Sequence, residues 1–127
     1  MGRKLNELAP VFRPLAVELI AQIVEHGIAV MIIATGRTEA EHQANLARRT
    51  SAIQRSKHQD GLAIDLCPYA EFSLHGPDKL QWDVLDPAWK IMGEVGEALG
   101  LRWGGRWTAP HDPGHFEYVA PVTTHAA

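Results

Sequence analysis

Ser56-Lys57-His58-Gln59-Asp60-Gly61-Leu62-Ala63-Ile64-Asp65 places a histidine just before a tight turn and an aspartate inside a strand pattern. Asp60-Gly61 is a turn signal, and the residues after it alternate, with Ala63 and Asp65 on one face and Leu62, Ile64 and Leu66 on the other. A carboxylate facing inward on a mainly apolar strand is costly unless something neutralises it. A second cluster, Asp112-Pro113-Gly114-His115-Phe116-Glu117, offers another imidazole and a spare carboxylate. His58, Asp65 and His115 would supply the three protein ligands of a catalytic zinc site. Such a site leaves its fourth position to a water whose pKa falls to roughly 7, and Asp112 would be the general base. Pro113 and Gly114 exclude the helix that a His-Glu-x-x-His protease needs, so the site must be built on strands and turns. A single histidine is most often a surface or satisfied core residue; the combination carries the metal reading.

Outward from these clusters the chain reads as α+β, without internal repeats. Leu15, Leu19 and Ile23 form one helical stripe and Ala16, Ile20 and Val24 its neighbour, which predicts a helix from about residue 11 to 26. Pro14 is tolerated in its first turn and Gly27 stops it. The apolar run from Ile28 to Ala34 suits a strand buried on both faces. Thr38 and Glu41 form a capping-box pattern that opens a helix through roughly Arg48. Residues 68–86 read as a long surface excursion with one short strand near Leu80, the kind of segment that lines clefts. A last helix from about Pro87 to Leu99 would bury Trp89, Met92 and Val95, capped by Gly100. Two short strands, 101–103 and 115–119, would complete a small sheet.

Size and charge narrow the classes. At 127 residues and 46% hydrophobic composition the chain fits one compact domain, residues 1–127, with no room for a separate binding module. Arg3 and Lys4 are not followed by an apolar run and a cleavage pattern, so no secretory signal is expected. No apolar stretch is long enough to span a membrane. The single cysteine, Cys67, excludes an internal disulfide and a multi-cysteine zinc cage, and is read as core filling. A formal net charge of -3 gives no reason to expect nucleic acid as a partner.

The motif Ser-x-His-x-x-Gly-x-Ala-x-Asp at Ser56, His58, Gly61, Ala63 and Asp65, and the closing acidic-x-x-His at Asp112 and His115, resemble a family of zinc peptidases. That family groups D-Ala-D-Ala carboxypeptidases and dipeptidases with phage L-alanyl-D-glutamate endopeptidases, within the wider fold shared with lysostaphin and the hedgehog signalling domain. Thr35-Gly36-Arg37 with Gln43, and Trp103-Gly104-Gly105-x-Trp107, extend the resemblance over nearly the whole chain. It implies a short, mainly antiparallel sheet flanked by helices, and one Zn2+ per chain on His58, Asp65 and His115. Asp112 would be the catalytic base, and aspartate there looks more like the phage branch. The resemblance also implies Arg37 near the substrate, holding a carboxylate or steadying oxyanion charge, with Ser56 and Gln43 as further substrate-binding residues. Arg37 retains the alternative of a structural salt bridge at a helix start, and Ser56 that of only shaping its loop.

Glu117, two residues beyond His115 on the same strand face, is placed to orient that imidazole, and Tyr118 faces the other way. Trp103 and Trp107 are read as packing beneath the site rather than as sugar platforms. His111 is read as an exposed turn residue, and His26, His42, His75 and His125 as solvated. Three functions follow. The first is a monomeric phage-type endolysin that cuts the L-alanyl-D-glutamate bond of peptidoglycan stem peptides and is released from the cytoplasm by a holin or by lysis. The second is a D-alanyl-D-alanine carboxypeptidase or dipeptidase. The third is an inactive zinc-binding interaction domain, against which Asp112 and Arg37 argue, because a structural metal needs neither.

Overall fold

The computed structural model describes residues 2–36, 60–70, 79–108 and 111–120. The expected helix over 38–48, and Arg37, Gln43, Ser56 and His58, lie outside these residues. So do His42, His75 and His125.

Helix α1, Arg13–Glu25, carries Pro14 in its first turn, where the missing N–H costs no hydrogen bond. It buries Ala16, Leu19 and Ile23, with Phe12 just ahead of it, so the core takes two residues from the first expected stripe and one from the second. Val24 stays exposed because it lies about 100° round the helix from Ile23. Helix α2, Pro87–Ala98, starts at Asp86, whose carboxylate accepts the Ala88 N–H at 2.9 Å, and buries Trp89, Met92 and Val95 as expected. Gly27 and Gly100, at φ of 80° and 83°, turn the chain out of the two helices.

Among the described residues four strands form one antiparallel sheet in the order β1-β2-β4-β3: β1 Val30–Ala34, β2 Ala63–Pro68, β3 Arg102–Trp103 and β4 His115–Glu117. The run from Ile28 was expected to be buried on both faces. It instead makes an edge strand, starting at Val30, with Met31 38% exposed. The doubly buried strand is β2, which has a neighbour on each side and whose residues are all buried except Asp65. The strand expected near Leu80 is a single bridge between Tyr69 and Leu80.

Strand alternation sends Ile64 and Leu66 of β2 and Phe116 of β4 to one face, where they join Phe12, Leu19, Met92 and Trp103 in the core. Gly96 of α2 lets this layer close, because a Cβ there would stand 2.5 Å from the Phe116 ring. The opposite face carries Asp65, His115 and Glu117. The fold thus uses one face for packing and leaves the other for chemistry.

Candidate metal centre and its pocket

Register builds the site. Asp65 of β2 is the direct cross-strand partner of His115 in β4, although 50 residues separate them in the chain. Directly opposed side chains on adjacent antiparallel strands project to the same face. The His115 Nδ1 lies 2.9 Å from Asp65 Oδ1, and its Nε2 lies 2.9 Å from Glu117 Oε1. Asp112 approaches from the preceding turn, its Oδ2 3.9 Å from the same Nδ1.

That turn is held by backbone contacts. The Asp112 N–H donates to the Gly104 carbonyl at 3.1 Å, and the Trp103 indole N–H donates to the Pro113 carbonyl at 2.7 Å. Gly104 has to be a glycine, since a Cβ would run into the Asp112 carbonyl oxygen. This accounts for the Trp-Gly-Gly-x-Trp segment in physical terms: it is the seat of the Asp112–His115 turn. Trp103 is core, as expected. Trp107 is only half-buried and packs on the His115 ring, with centroids 5.0 Å apart, while the Arg102 guanidinium lies 5.3 Å from the Trp107 ring centre.

The electrostatics favour a cation. Burial is the largest influence on His115 and works against its charged form. Hydrogen bonds to Asp65 and Glu117, together with the charges of Asp65 and Asp112, outweigh it and push the pKa up to about 9. Ligand atoms of Asp65, Asp112 and His115 all lie within 4.8 Å of one another. As an imidazolium His115 donates from Nδ1 to Asp65 and from Nε2 to Glu117; once the Nδ1 proton is lost, Glu117 still accepts the Nε2–H and Nδ1 can bind a metal beside the two aspartates. A metal ligand histidine needs this arrangement of its second nitrogen. The donor set, one imidazole and two carboxylates on strands and a turn, fits a divalent cation such as zinc.

Of the expected site residues, Asp65, Asp112 and His115 come together here, with Glu117 behind His115. His58, Arg37, Ser56 and Gln43 fall outside the described residues. His111 is exposed, and so is His26, whose ring bonds the Gln22 carbonyl at the end of α1. Cys67 is buried, as expected of a core-filling thiol.

Sequence reasoning expected residues 68–86 to line a cleft without naming which side chains do; the structure has a pocket of about 270 Å³ beside the cluster, walled by Ile33, Trp82, Val84, Trp89 and Pro113, with Asp65 and Asp112 in its lining. Its signal was the apolar Trp82-x-Val84-Leu85 near the end of the 68–86 excursion. All three side chains are exposed. Among the described residues no helix is long and apolar enough to cross a membrane.

A cluster of carboxylates and an imidazole able to hold a metal, built on antiparallel strands and the turn that carries Asp112, defines the class, a strand-built metallopeptidase. The chain belongs to the M15 peptidases: the family described as D-alanyl-D-alanine carboxypeptidase matches residues 49–118, more than half of it. It is 34% identical over 102 residues to the L-alanyl-D-glutamate peptidase of Escherichia phage T5, covering 65% of this chain and 70% of that one. It is 28% identical over 116 residues to the L-alanyl-D-glutamate peptidase of Listeria phage A118, spanning 39% of that longer protein and 90% of this chain. In fold it is similar to the Serratia marcescens L-Ala D-Glu endopeptidase ChiX, at TM-score 0.66 and 20% identity, over 91% of this chain and 83% of the other. It is also similar to the zinc-bound D,D-pentapeptidase VanY of a VanB-type resistance cassette, at TM-score 0.59 and 17% identity, over 88% and 72%.

Proposed function

We propose that this chain is a zinc-dependent endopeptidase that hydrolyses the L-alanyl-D-glutamate bond of peptidoglycan stem peptides. The observation that carries the reading is the cross-strand pair Asp65–His115 with the Asp112 carboxylate 3.9 Å from the imidazole. The phage relatives support the choice of bond, the T5 protein at 34% identity over 102 residues.

His58, Asp65 and His115 hold the metal. Zinc, when bound, supplies Lewis acidity toward a water and the scissile carbonyl. Asp112 is the proton carrier. Its side chain is 46% exposed, so it can meet a solvent-derived nucleophile, take its proton and return it to the leaving amine. Glu117 fixes the His115 ring by accepting its Nε2–H, and Trp107 limits the ring's tilt from the side. Arg37 offsets charge growing on the carbonyl oxygen or anchors a substrate carboxylate, and Ser56 and Gln43 bind substrate. The chain acts as a monomer on the cell wall, reached from the cytoplasm through a holin-type pore or after lysis.

Mass spectrometry of purified peptidoglycan digested with and without a chelator tests the reading. New N-terminal D-glutamate or D-isoglutamine with free L-alanine C-termini, lost on chelation, is the expected result. Release of terminal D-alanine alone would move the chain to the carboxypeptidase branch of the family. No chelator-sensitive product would leave a zinc-binding interaction domain.

A further inference from the structure

Trp89, Gly93 and Glu97 are spaced four apart on α2 and share one face of the helix. Each of them meets the segments that build the Asp112–His115 turn. A Cβ on Gly114 would stand 3.4 Å from the Trp89 ring, so that ring backs the turn itself. Gly93 makes room for the Trp103 indole, which a Cβ at that position would strike. Glu97 accepts two hydrogen bonds from Arg106, from Nε at 3.0 Å and from Nη2 at 2.8 Å. A guanidinium fork on a carboxylate fixes orientation as well as distance. The same guanidinium lies 5.2 Å from the centre of the Trp103 ring, whose indole N–H donates to the Pro113 carbonyl. The Gly104 carbonyl, two residues before Arg106, accepts the Asp112 N–H. The backbone at Asp112 and Pro113 is thus held by two groups, Trp103 and Gly104, that the Glu97–Arg106 pair ties to α2.

We infer that Glu97 and Arg106 are positioning residues for the proton carrier: their ion pair locks the Gly104–Arg106 turn and the Trp103 ring onto α2, and so sets where the Asp112 carboxylate stands. The assignment rests on the endopeptidase reading above, with Asp112 as proton carrier, and adds what aims that carboxylate. An aspartate side chain is short, so its carboxylate goes where the backbone takes it. A misplacement of about 1 Å at a reacting group can cost about a hundredfold in rate. The pair's value lies in that aim rather than in stability, because Arg106 is 61% exposed and ion pairs so close to solvent stabilise a fold little. Asp65 and His115 are held by their own strand pairing. Breaking the pair should therefore loosen the proton carrier and leave these two ligands in place.

The test uses the zinc-loaded full chain and the peptide N-acetyl-L-alanyl-D-isoglutamyl-L-lysine. Arg106→Ala and the isosteric Glu97→Gln should each lower kcat by about tenfold, with KM, zinc content and Tm near those of the wild type. Combined, they should cost no more than the worse of the two, since both break one contact. In an Asp112→Ala background Arg106→Ala should change the residual rate by less than about twofold, because its effect passes through Asp112. Lys90→Gln breaks another exposed ion pair of α2, the one with Glu94 at 3.8 Å, and should leave kcat unchanged. Wild-type kcat in both Arg106→Ala and Glu97→Gln, loss of zinc or of Tm in both, a tenfold loss that persists without Asp112, or an equal loss in Lys90→Gln would each overturn the positioning role while leaving the endopeptidase reading standing. Failure of the wild type to cut the peptide would overturn both.

Discussion

Ile64 and Asp65 are neighbours in one strand, yet they serve opposite faces of the sheet. Ile64 is fully buried among Phe12, Leu19 and Phe116, while Asp65 meets His115 across the strand pair. The core face is apolar and closed by two helices; the other face holds three carboxylates around one imidazole. Like charges gathered on a partly buried surface destabilise a fold unless a cation is added. The core face therefore stabilises the sheet, and the site face makes sense as a cation-binding surface carried by it.

Several substitutions separate the two faces. The largest effect belongs to His115→Ala, which should remove zinc and with it all chelator-sensitive hydrolysis; one zinc per chain retained by elemental analysis would take His115 out of the ligand set. Asp112→Ala comes next. It should keep the metal and the fold but lower kcat by about 10²–10⁴-fold, and near wild-type turnover would show that the proton carrier is another group. On the core side, Ile64→Ala should cost about 2–5 kcal/mol in denaturant unfolding while the folded fraction keeps its zinc affinity. A metal-binding defect in that variant would mean that the two faces are not separable. Glu117→Gln should weaken zinc binding by about 10–100-fold with little change in stability, as measured by competition with a chromogenic chelator.

The smallest effect is on pH dependence. His115 has its folded pKa raised above the usual histidine value of 6.5 to about 9, so in metal-free protein its contribution to stability is complete below 6.5 and is lost as pH rises through about 9. Zinc competes with that same proton. The rise in Tm on adding zinc should therefore grow between pH 6.5 and 9, and a zinc-induced shift that stays flat across that window in scanning calorimetry would contradict the placement of His115 between carboxylates.

Much of this was legible in local pattern. Helix ends at Gly27 and Gly100, the turn at Asp60-Gly61 and the alternation around Asp65 all depend on backbone preferences of a few adjacent residues, and they appear where the sequence predicts them. Glu117 was assigned behind His115 from spacing alone, because two residues along a strand return to the same face. The edge position of β1 and the exposure of Val24 were not legible, since hydrophobicity reports that a residue prefers burial without reporting which surfaces are left to cover it.

Residue types and their order along the chain thus pointed to the peptidase family and to the donor set and acid-base partner proposed above, because coordination chemistry and strand period are local properties. Only the tertiary structure decided that β2 and β4 are neighbours, that Asp65 faces His115 in register, and that Ile33, Trp82, Val84 and Trp89 wall a pocket beside them. Those contacts join segments tens of residues apart, and their pairing is set by how the whole core closes, with Gly96 admitting the Phe116 ring and Gly104 admitting the turn that carries Asp112.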